Sequence, residues 1–154
     1  MSNWCEGTLK VRGKKNNLEN FILNGLKPVN CMGEDQNPLK PDKYNEIHFE
    51  GTAWIEGTQR GFVKYMEVYL DELEREENEP NPVICLETKF AWCIYTEQLV
   101  EISKKYKVDF KILGFERGME FNQDIEIVKG QIVKDVEINF DDYEWECINP
   151  TLGG

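Results

Sequence analysis

The chain has 154 residues, of which 18 are basic and 29 acidic, and its formal net charge at pH 7 is −11. Hydrophobic residues make up 40% and aromatic residues 12% of the sequence. This composition is ordinary for globular proteins and argues against intrinsic disorder, so we expect a single folded domain over residues 1–154. An acidic chain also lacks the clustered Lys and Arg that a phosphate backbone requires, which disfavours direct binding of nucleic acid.

Nearly all of the net negative charge lies in two segments. Residues 67–79 carry seven acids against Arg75 alone, and residues 135–146 carry six acids and no base. Each segment therefore contributes −6, and the rest of the chain is close to neutral. Such concentrated charge suits solubility or contact with a basic surface.

The sequence shows no sign of a membrane span or of export. No apolar run approaches the ~18 to 20 residues of a membrane helix, and the first residues lack the pattern of a secretion signal. We therefore expect a cytoplasmic protein that does not bind membranes. In that compartment its five cysteines are expected to be reduced thiols.

The N-terminal half predicts a strand, a helix and a long connection. Apolar and polar residues alternate from Cys5 to Val11, as in a half-buried strand. Asn16 and Glu19 match a capping box that would open an amphipathic helix, which Gly25 would close. Residues 28–45, rich in Pro and Gly, predict a long loop.

The middle of the chain predicts further strands, with one ambiguity. Residues 47–53 alternate as a strand, whereas residues 62–75 fit either a helix or a strand. Their Tyr and Val content favours a strand over 65–71. The acidic piece that follows would be a hairpin loop leading into a strand over 84–92.

The C-terminal half predicts a second helix and another hairpin. Thr96 is a suitable N-cap for a helix, and a strand follows over 110–112. Alternation around the turn at Lys129 and Gly130 predicts a hairpin. Residues 141–154 form an acidic tail that, if extended, would hold its acids along one face.

This order of elements predicts an α+β fold. The expected architecture is a ferredoxin-like sandwich, in which two helices cover one face of a mostly antiparallel sheet and a C-terminal hairpin is added.

Several motifs resemble the YubB-type ferredoxin-like family of plasmid and phage proteins. The first match is Asn3-Trp4-Cys5-Glu6 with Leu9, Val11 and Gly13, followed by an amphipathic helix. The second comprises Thr88 to Trp92, Leu99, Ile102, Tyr106, Phe110, Phe115, Glu116, Gly118, Phe121 and the Lys129-Gly130 turn. The chain departs from the family at Asn122, where a Gly is expected. The resemblance implies the fold and an origin in a mobile element, and it supplies no catalytic residues.

Candidate sites for chemistry each have a simpler structural explanation. Glu46, His48 and Glu50 share a strand face and could hold a metal, but such a row is also typical of a solvated face. Cys93 ahead of a helix could be an activated thiol only if His48 met it in space. We expect no metal, no cofactor and no catalytic residue.

Two surfaces could bind other molecules. Trp4 and Trp92, with Glu116 nearby, could form an aromatic face for a small molecule or nucleotide, although large aromatic residues more often close a core. Lys10, Arg12, Lys14 and Lys15 form the main basic patch. The acidic candidates for contact with a partner are Glu72, Glu74, Glu76, Glu77, Asp141, Asp142, Glu144 and Glu146.

The sequence therefore predicts a non-enzymatic accessory protein of a phage, plasmid or other mobile element. Its acidic surfaces would bind a partner protein with a basic surface, and charge mimicry of this kind fits an anti-defence role. The alternative is a small-molecule or nucleotide-binding module that uses the aromatic sheet face.

Overall fold

The computed structural model describes residues 3–154. Its strands are β1 Trp4–Arg12, β2 Leu26–Pro28, β3 Glu46–Ile55, β4 Gly61–Tyr69, β5 Val83–Ala91, β6 Asp109–Glu116, β7 Phe121–Val128 and β8 Gln131–Asn139. Its helices are α1 Lys15–Gly25, α2 Thr96–Tyr106 and the short α3 Tyr143–Glu146, with a 3-10 turn over Leu70–Leu73.

All eight strands belong to one sheet in the order β2-β3-β4-β5-β1-β6-β7-β8. Every neighbouring pair is antiparallel. β1 lies between β5 and β6, and its register with β5 runs from Trp4 opposite Ala91 to Arg12 opposite Val83. We call the two ends of the sheet the Trp4 end and the Arg12 end after these residues of β1.

One face of the sheet forms the main core. Cys5, Leu9 and Val11 of β1 are fully buried there, because alternate side chains of a strand point to the same face. Both long helices contribute to the same cluster, and Phe21 of α1 meets Tyr106 of α2 edge to face at 5.5 Å between ring centroids. The opposite face, which carries Glu6, Thr8 and Lys10 of β1, is mostly polar, and we call it the open face.

The expected ferredoxin-like sandwich is wrong. The structure is an open eight-stranded antiparallel sheet with few helices. β3, β4 and β5 extend the sheet on one side of β1, and β6, β7 and β8 extend it on the other. The pattern of every strand except the three-residue β2 was visible in the sequence, but the pairing of distant strands that sets the width of the sheet was not.

Several local expectations can also be compared with the structure. The loop predicted over 28–45 is present over 29–45, because Pro28 still belongs to β2. The strand predicted over 65–71 is correct up to Tyr69, where the 3-10 turn follows. The capping box at Asn16 is wrong, because α1 begins at Lys15 and its cap residue Lys14 makes no side-chain cap bond. Thr96 is the first residue of α2 and not its cap. Among the described residues, no helix has the length and apolar character needed to cross a membrane.

Candidate functional site

The C-terminal residues after β8 fold back onto the open face at the Trp4 end. Phe115, Tyr143 and Cys147 form a small second core, with Phe140 and Leu152 packed against it. The backbone N–H of Gly153 donates to the Glu6 carboxylate at 3.0 Å, and that of Gly154 donates to the carbonyl oxygen of Trp4 at 2.8 Å. The acidic tail is therefore fixed to the sheet.

α3 gives this tail its pattern of buried and exposed residues. Asp142 caps the helix by accepting from the backbone N–H of Trp145. Tyr143 and Cys147 are four residues apart, so both face the sheet, while Trp145 points away from it with 86% of its surface exposed. The tail is not extended over residues 143–146, which are helical, so its acids do not follow one face of a strand.

We call the exposed part of this tail the C-terminal acidic surface. It consists of Asp141, Asp142, Glu144, Trp145, Glu146 and Ile148. Ile148 is also 86% exposed. Within residues 3–154, none of its four carboxylates forms an ion pair. The surface thus combines uncompensated negative charge with two large apolar side chains in solvent.

The other acidic segment lies elsewhere on the molecule. Glu72, Glu74, Glu76 and Glu77 are exposed in the connection from β4 to β5, at the Arg12 end. Glu74 is compensated by Lys15 at 2.6 Å. The C-terminal acidic surface lies on the open face at the Trp4 end, where the chain after it is bonded to Glu6 and Trp4, so the two groups of acids are at opposite ends of the sheet. The two acidic segments therefore do not form one continuous surface.

Trp4 lies on the open face and is already surrounded. The Nζ atom of Lys89 lies 4.6 Å from the centre of the Trp4 ring, and Arg60 lies 5.4 Å from it. Phe62 meets the same ring edge to face at 6.2 Å. Cation–π contacts of this kind use the ring surface that a stacked base would need.

Trp92 and Glu116 do not join Trp4 in one binding face. Trp92 is half exposed at the end of β5, where it has a φ of 71° and borders a small cavity of about 140 Å³. The Glu116 carboxylate is fully buried and accepts the backbone N–H groups of Gly118 at 2.7 Å and Met119 at 2.8 Å. Glu116 therefore stabilises the turn between β6 and β7.

His48 belongs to a polar cluster on the open face. It meets Tyr65 edge to face at 5.6 Å, and Tyr65 donates to Glu67 at 3.1 Å. Tyr69 donates to the same carboxylate, and these two hydrogen bonds lower the pKa of Glu67. The hydrogen bond between Tyr69 and Glu67 also raises the pKa of Tyr69 to about 12. The cluster is a hydrogen-bonded row of side chains in solvent.

The positions of the described residues support neither an activated thiol at Cys93 nor a metal site at His48. His48 lies on β3 towards the Arg12 end, whereas Cys93 follows β5 at the Trp4 end, so the structure does not bring the two together. Among the described residues, no group of three or more His, Cys, Asp or Glu side chains is placed to hold a metal ion.

Sequence reasoning identified the acids of the tail but missed Trp145 as their exposed apolar partner. The available signal was the spacing of Tyr143 and Cys147, which is that of one helical turn. Comparison of the chain with models of protein families, with curated proteins and with solved structures finds no match in any of the three. Membership of the YubB-type family therefore stays a prediction.

Proposed function

We propose that this protein binds a partner protein through its C-terminal acidic surface. The observation that carries the proposal is the exposure of Trp145 and Ile148 amid four unpaired carboxylates. Tryptophan is enriched among the residues that dominate binding energy, and an apolar centre with a charged rim is the usual anatomy of an interface.

The rigid attachment of this surface supports the same proposal. Tyr143 and Cys147 are buried against the sheet, and the chain is tied to β1 again at Gly153 and Gly154. A surface that is already ordered loses less conformational entropy on binding than a mobile tail would. The tail is therefore suited to recognition and not only to solubility.

The chemistry of the surface defines the partner. Trp145 requires an apolar pocket, and the surrounding acids require Lys or Arg side chains at its rim. Complementary charge accelerates encounter and selects against acidic proteins. The wider expectation, a non-enzymatic accessory protein of a mobile element with an anti-defence role, is part of this proposal and draws its support from the family resemblance and from the acidic surface.

The test is quantitative affinity capture from a host lysate at low salt, comparing the wild type with Trp145→Ala. A specific partner should be retained by the wild type and lost from Trp145→Ala, because truncation of a central interface Trp commonly costs about 2 kcal/mol or more. The double variant Glu144→Gln with Glu146→Gln should keep the partner at low salt but release it at lower salt concentrations than the wild type does.

Trp92→Ala serves as the matched control, since Trp92 is a half-exposed tryptophan outside the C-terminal acidic surface. It should capture the partner as the wild type does. Equal capture of the partner by the wild type and Trp145→Ala would contradict the proposal. Loss of the partner in Trp92→Ala alone would place the binding site near Trp92 instead.

A further inference from the structure

A basic cleft opens at the Arg12 end, away from the C-terminal acidic surface. Its volume is about 630 Å³, and five cationic side chains line it: Arg12, Lys14, Lys104, Lys107 and Lys129. Asp109 is the one acid among the described residues of its lining. This concentration of positive charge is unexpected in a chain whose net charge is −11.

Most of the cations in the cleft lack a carboxylate partner. Arg12 binds Asp109 at 2.8 Å, and Lys104 lies 3.7 Å from the exposed Glu101. Within residues 3–154, Lys14, Lys107 and Lys129 form no ion pair. These three lysines therefore add positive charge to the cleft that no ion pair neutralises, and an anion bound in the cleft would be attracted to it.

The fold brings these cations together from three separate segments. Arg12 and Lys14 flank the turn from β1 to α1, Lys104 and Lys107 lie at the end of α2, and Lys129 lies in the turn between β7 and β8. Asp109, the first residue of β6, is bonded to Arg12 of the first segment and to Lys129 of the last.

Contacts between the segments hold the cleft in shape. The carboxylate of Asp109 accepts the Arg12 guanidinium at 2.9 Å and the backbone N–H of Lys129 at 2.9 Å. The side-chain amide of Asn17 donates to the carbonyl oxygen of Lys107 at 3.4 Å. The cleft is therefore a defined feature of the fold and not a chance grouping of mobile lysines.

The start of α1 adds backbone donors to the same cleft. Asn16 and Asn17 of its first turn line the cleft. The cap residue Lys14 makes no side-chain cap bond, and the first turn contains no acid. The backbone N–H of Asn17 already donates to the carbonyl oxygen of Lys14 at 2.9 Å, so the amides before it in this first turn are the donors that the helix start offers to an anion.

The size and composition of the cleft define the class of ligand. Its volume lies in the range of small-molecule sites, and among the described residues none that lines it is aromatic. The site thus offers cations and amides for phosphate groups and no ring to stack a base. Subtracting the net +4 of the cleft from the chain's −11 leaves −15 on the rest of the molecule, which repels a long nucleic acid.

We propose that this cleft binds a small molecule through a short polyphosphate chain. Free polyphosphate and the phosphate chain of a nucleotide share this chemistry. The competing explanation is that Lys104 and Lys107 only complement the dipole of α2, whose C-terminus lies here. That explanation does not account for Lys14 and Lys129, which come from other segments.

The test is calorimetric titration of the full chain with inorganic tripolyphosphate, ATP and inorganic phosphate at low salt. Tripolyphosphate should bind at one site and more tightly than inorganic phosphate. ATP should bind with an affinity similar to that of tripolyphosphate, because the cleft contacts the phosphate groups and not the base. Much tighter binding of ATP than of tripolyphosphate would overturn the proposal, as would no binding of tripolyphosphate or tighter binding of a DNA duplex.

Charge-removing variants locate the site. Lys107 and Lys129 have φ values of 56° and 52°, and Asn is the substitute that tolerates this left-handed region best. Lys107→Asn with Lys129→Asn should weaken tripolyphosphate binding about tenfold or more, because hydrogen bonds to charged groups are lost.

The matched control is Lys40→Asn with Lys43→Asn, which makes the same charge change in the exposed loop after β2. It should change the affinity little. Equal weakening by both pairs would overturn the proposal, since it would show a response to net charge alone. Urea unfolding of each variant confirms that the fold is kept.

Discussion

Asn122 shows how one buried amide can attach a chain segment to a sheet. Its Oδ1 atom accepts the hydroxyl of Tyr143 at 3.0 Å, and its Nδ2 atom lies 3.5 Å from the sulfur of Cys147. The family that the chain resembles has a Gly near this position. The backbone of Asn122 is not among those with positive φ, so no glycine is required here. The side chain instead holds the segment that carries the C-terminal acidic surface.

Replacing Tyr143 by Phe tests this attachment. Tyr143→Phe removes the hydroxyl that satisfies the buried oxygen of Asn122 and should lower the free energy of unfolding by about 1 kcal/mol. Urea unfolding measures the change. Tyr44→Phe, which alters an exposed ring, should stay within about 0.5 kcal/mol of the wild type. An equal effect of the two substitutions would show that the bond to Asn122 contributes nothing.

Cys5 is a thiol that the fold keeps protonated. Burial, followed by the charge of Glu116, raises its pKa from 9.0 to about 12. Burial also raises the pKa of Tyr143. Because both groups ionise more easily in the unfolded chain, the unfolded state loses protons first as the pH rises.

Stability should therefore fall in alkaline solution. The contribution of Cys5 is complete below pH 9.0 and is lost as the pH rises towards about 12. The slope for one such group is at most about 1.4 kcal/mol per pH unit. Urea unfolding at a series of pH values should show a shallower fall for Cys5→Ala than for the wild type. Parallel curves of stability against pH for the wild type and Cys5→Ala would contradict the role given to the Cys5 thiol.

At the scale of elements, β8 is a long edge strand. Among the strands of residues 3–154 it pairs only with β7, and Ile132, Val133 and Val136 are exposed along it. Unpaired edges of this kind invite pairing with another chain. Asp135 and Glu137 alternate with apolar residues on the same strand, and in a side-by-side pairing of two copies these acids would come close and repel.

Removing these acids should promote self-association. Asp135→Thr with Glu137→Thr should produce dimers or larger species that increase with protein concentration in sedimentation velocity. Glu76→Thr with Glu77→Thr makes the same charge change in an exposed loop and should not do so. If both pairs associate equally, reduced net charge is the cause and the edge has no special role.

Elements were predicted well where the periodicity of the sequence is strong. The strand predicted from Cys5 to Val11 and the amphipathic helix predicted after it are both present, and the helix buries Leu18, Phe21 and Ile22. The ends of the helices were less accurate, since α1 begins at Lys15 and not after a capping Asn16. The helix in the tail was not predicted, because its only sequence signal is the single spacing of Tyr143 and Cys147.

At the scale of the whole molecule, one sheet joins both halves of the chain. The main core includes residues from β1 through β7 and from both long helices. The second, smaller core is joined to it through β6 and β7 and through the bonds from Gly153 and Gly154 to β1. This continuity favours cooperative unfolding of the chain as a single domain.

Two probes of unfolding test that expectation. Tryptophan fluorescence, which reports on Trp4, Trp54, Trp92 and Trp145, should give the same urea midpoint as far-UV circular dichroism. Trp145→Phe should leave the fluorescence midpoint unchanged. A fluorescence transition that precedes the loss of secondary structure in the wild type, and disappears in Trp145→Phe, would show that the tail detaches separately.

Most strands, the two long helices, the two acidic segments and the basic residues around the first turn follow from the amino-acid sequence, because periodicity and charge are local properties. The eight-stranded sheet, the separation of the acidic segments and the meeting of Lys14, Lys107 and Lys129 in one cleft arise only when the chain folds. These outcomes depend on which distant strands pair. Such pairing is set by the burial of side chains across the whole sheet, which no short stretch of sequence encodes.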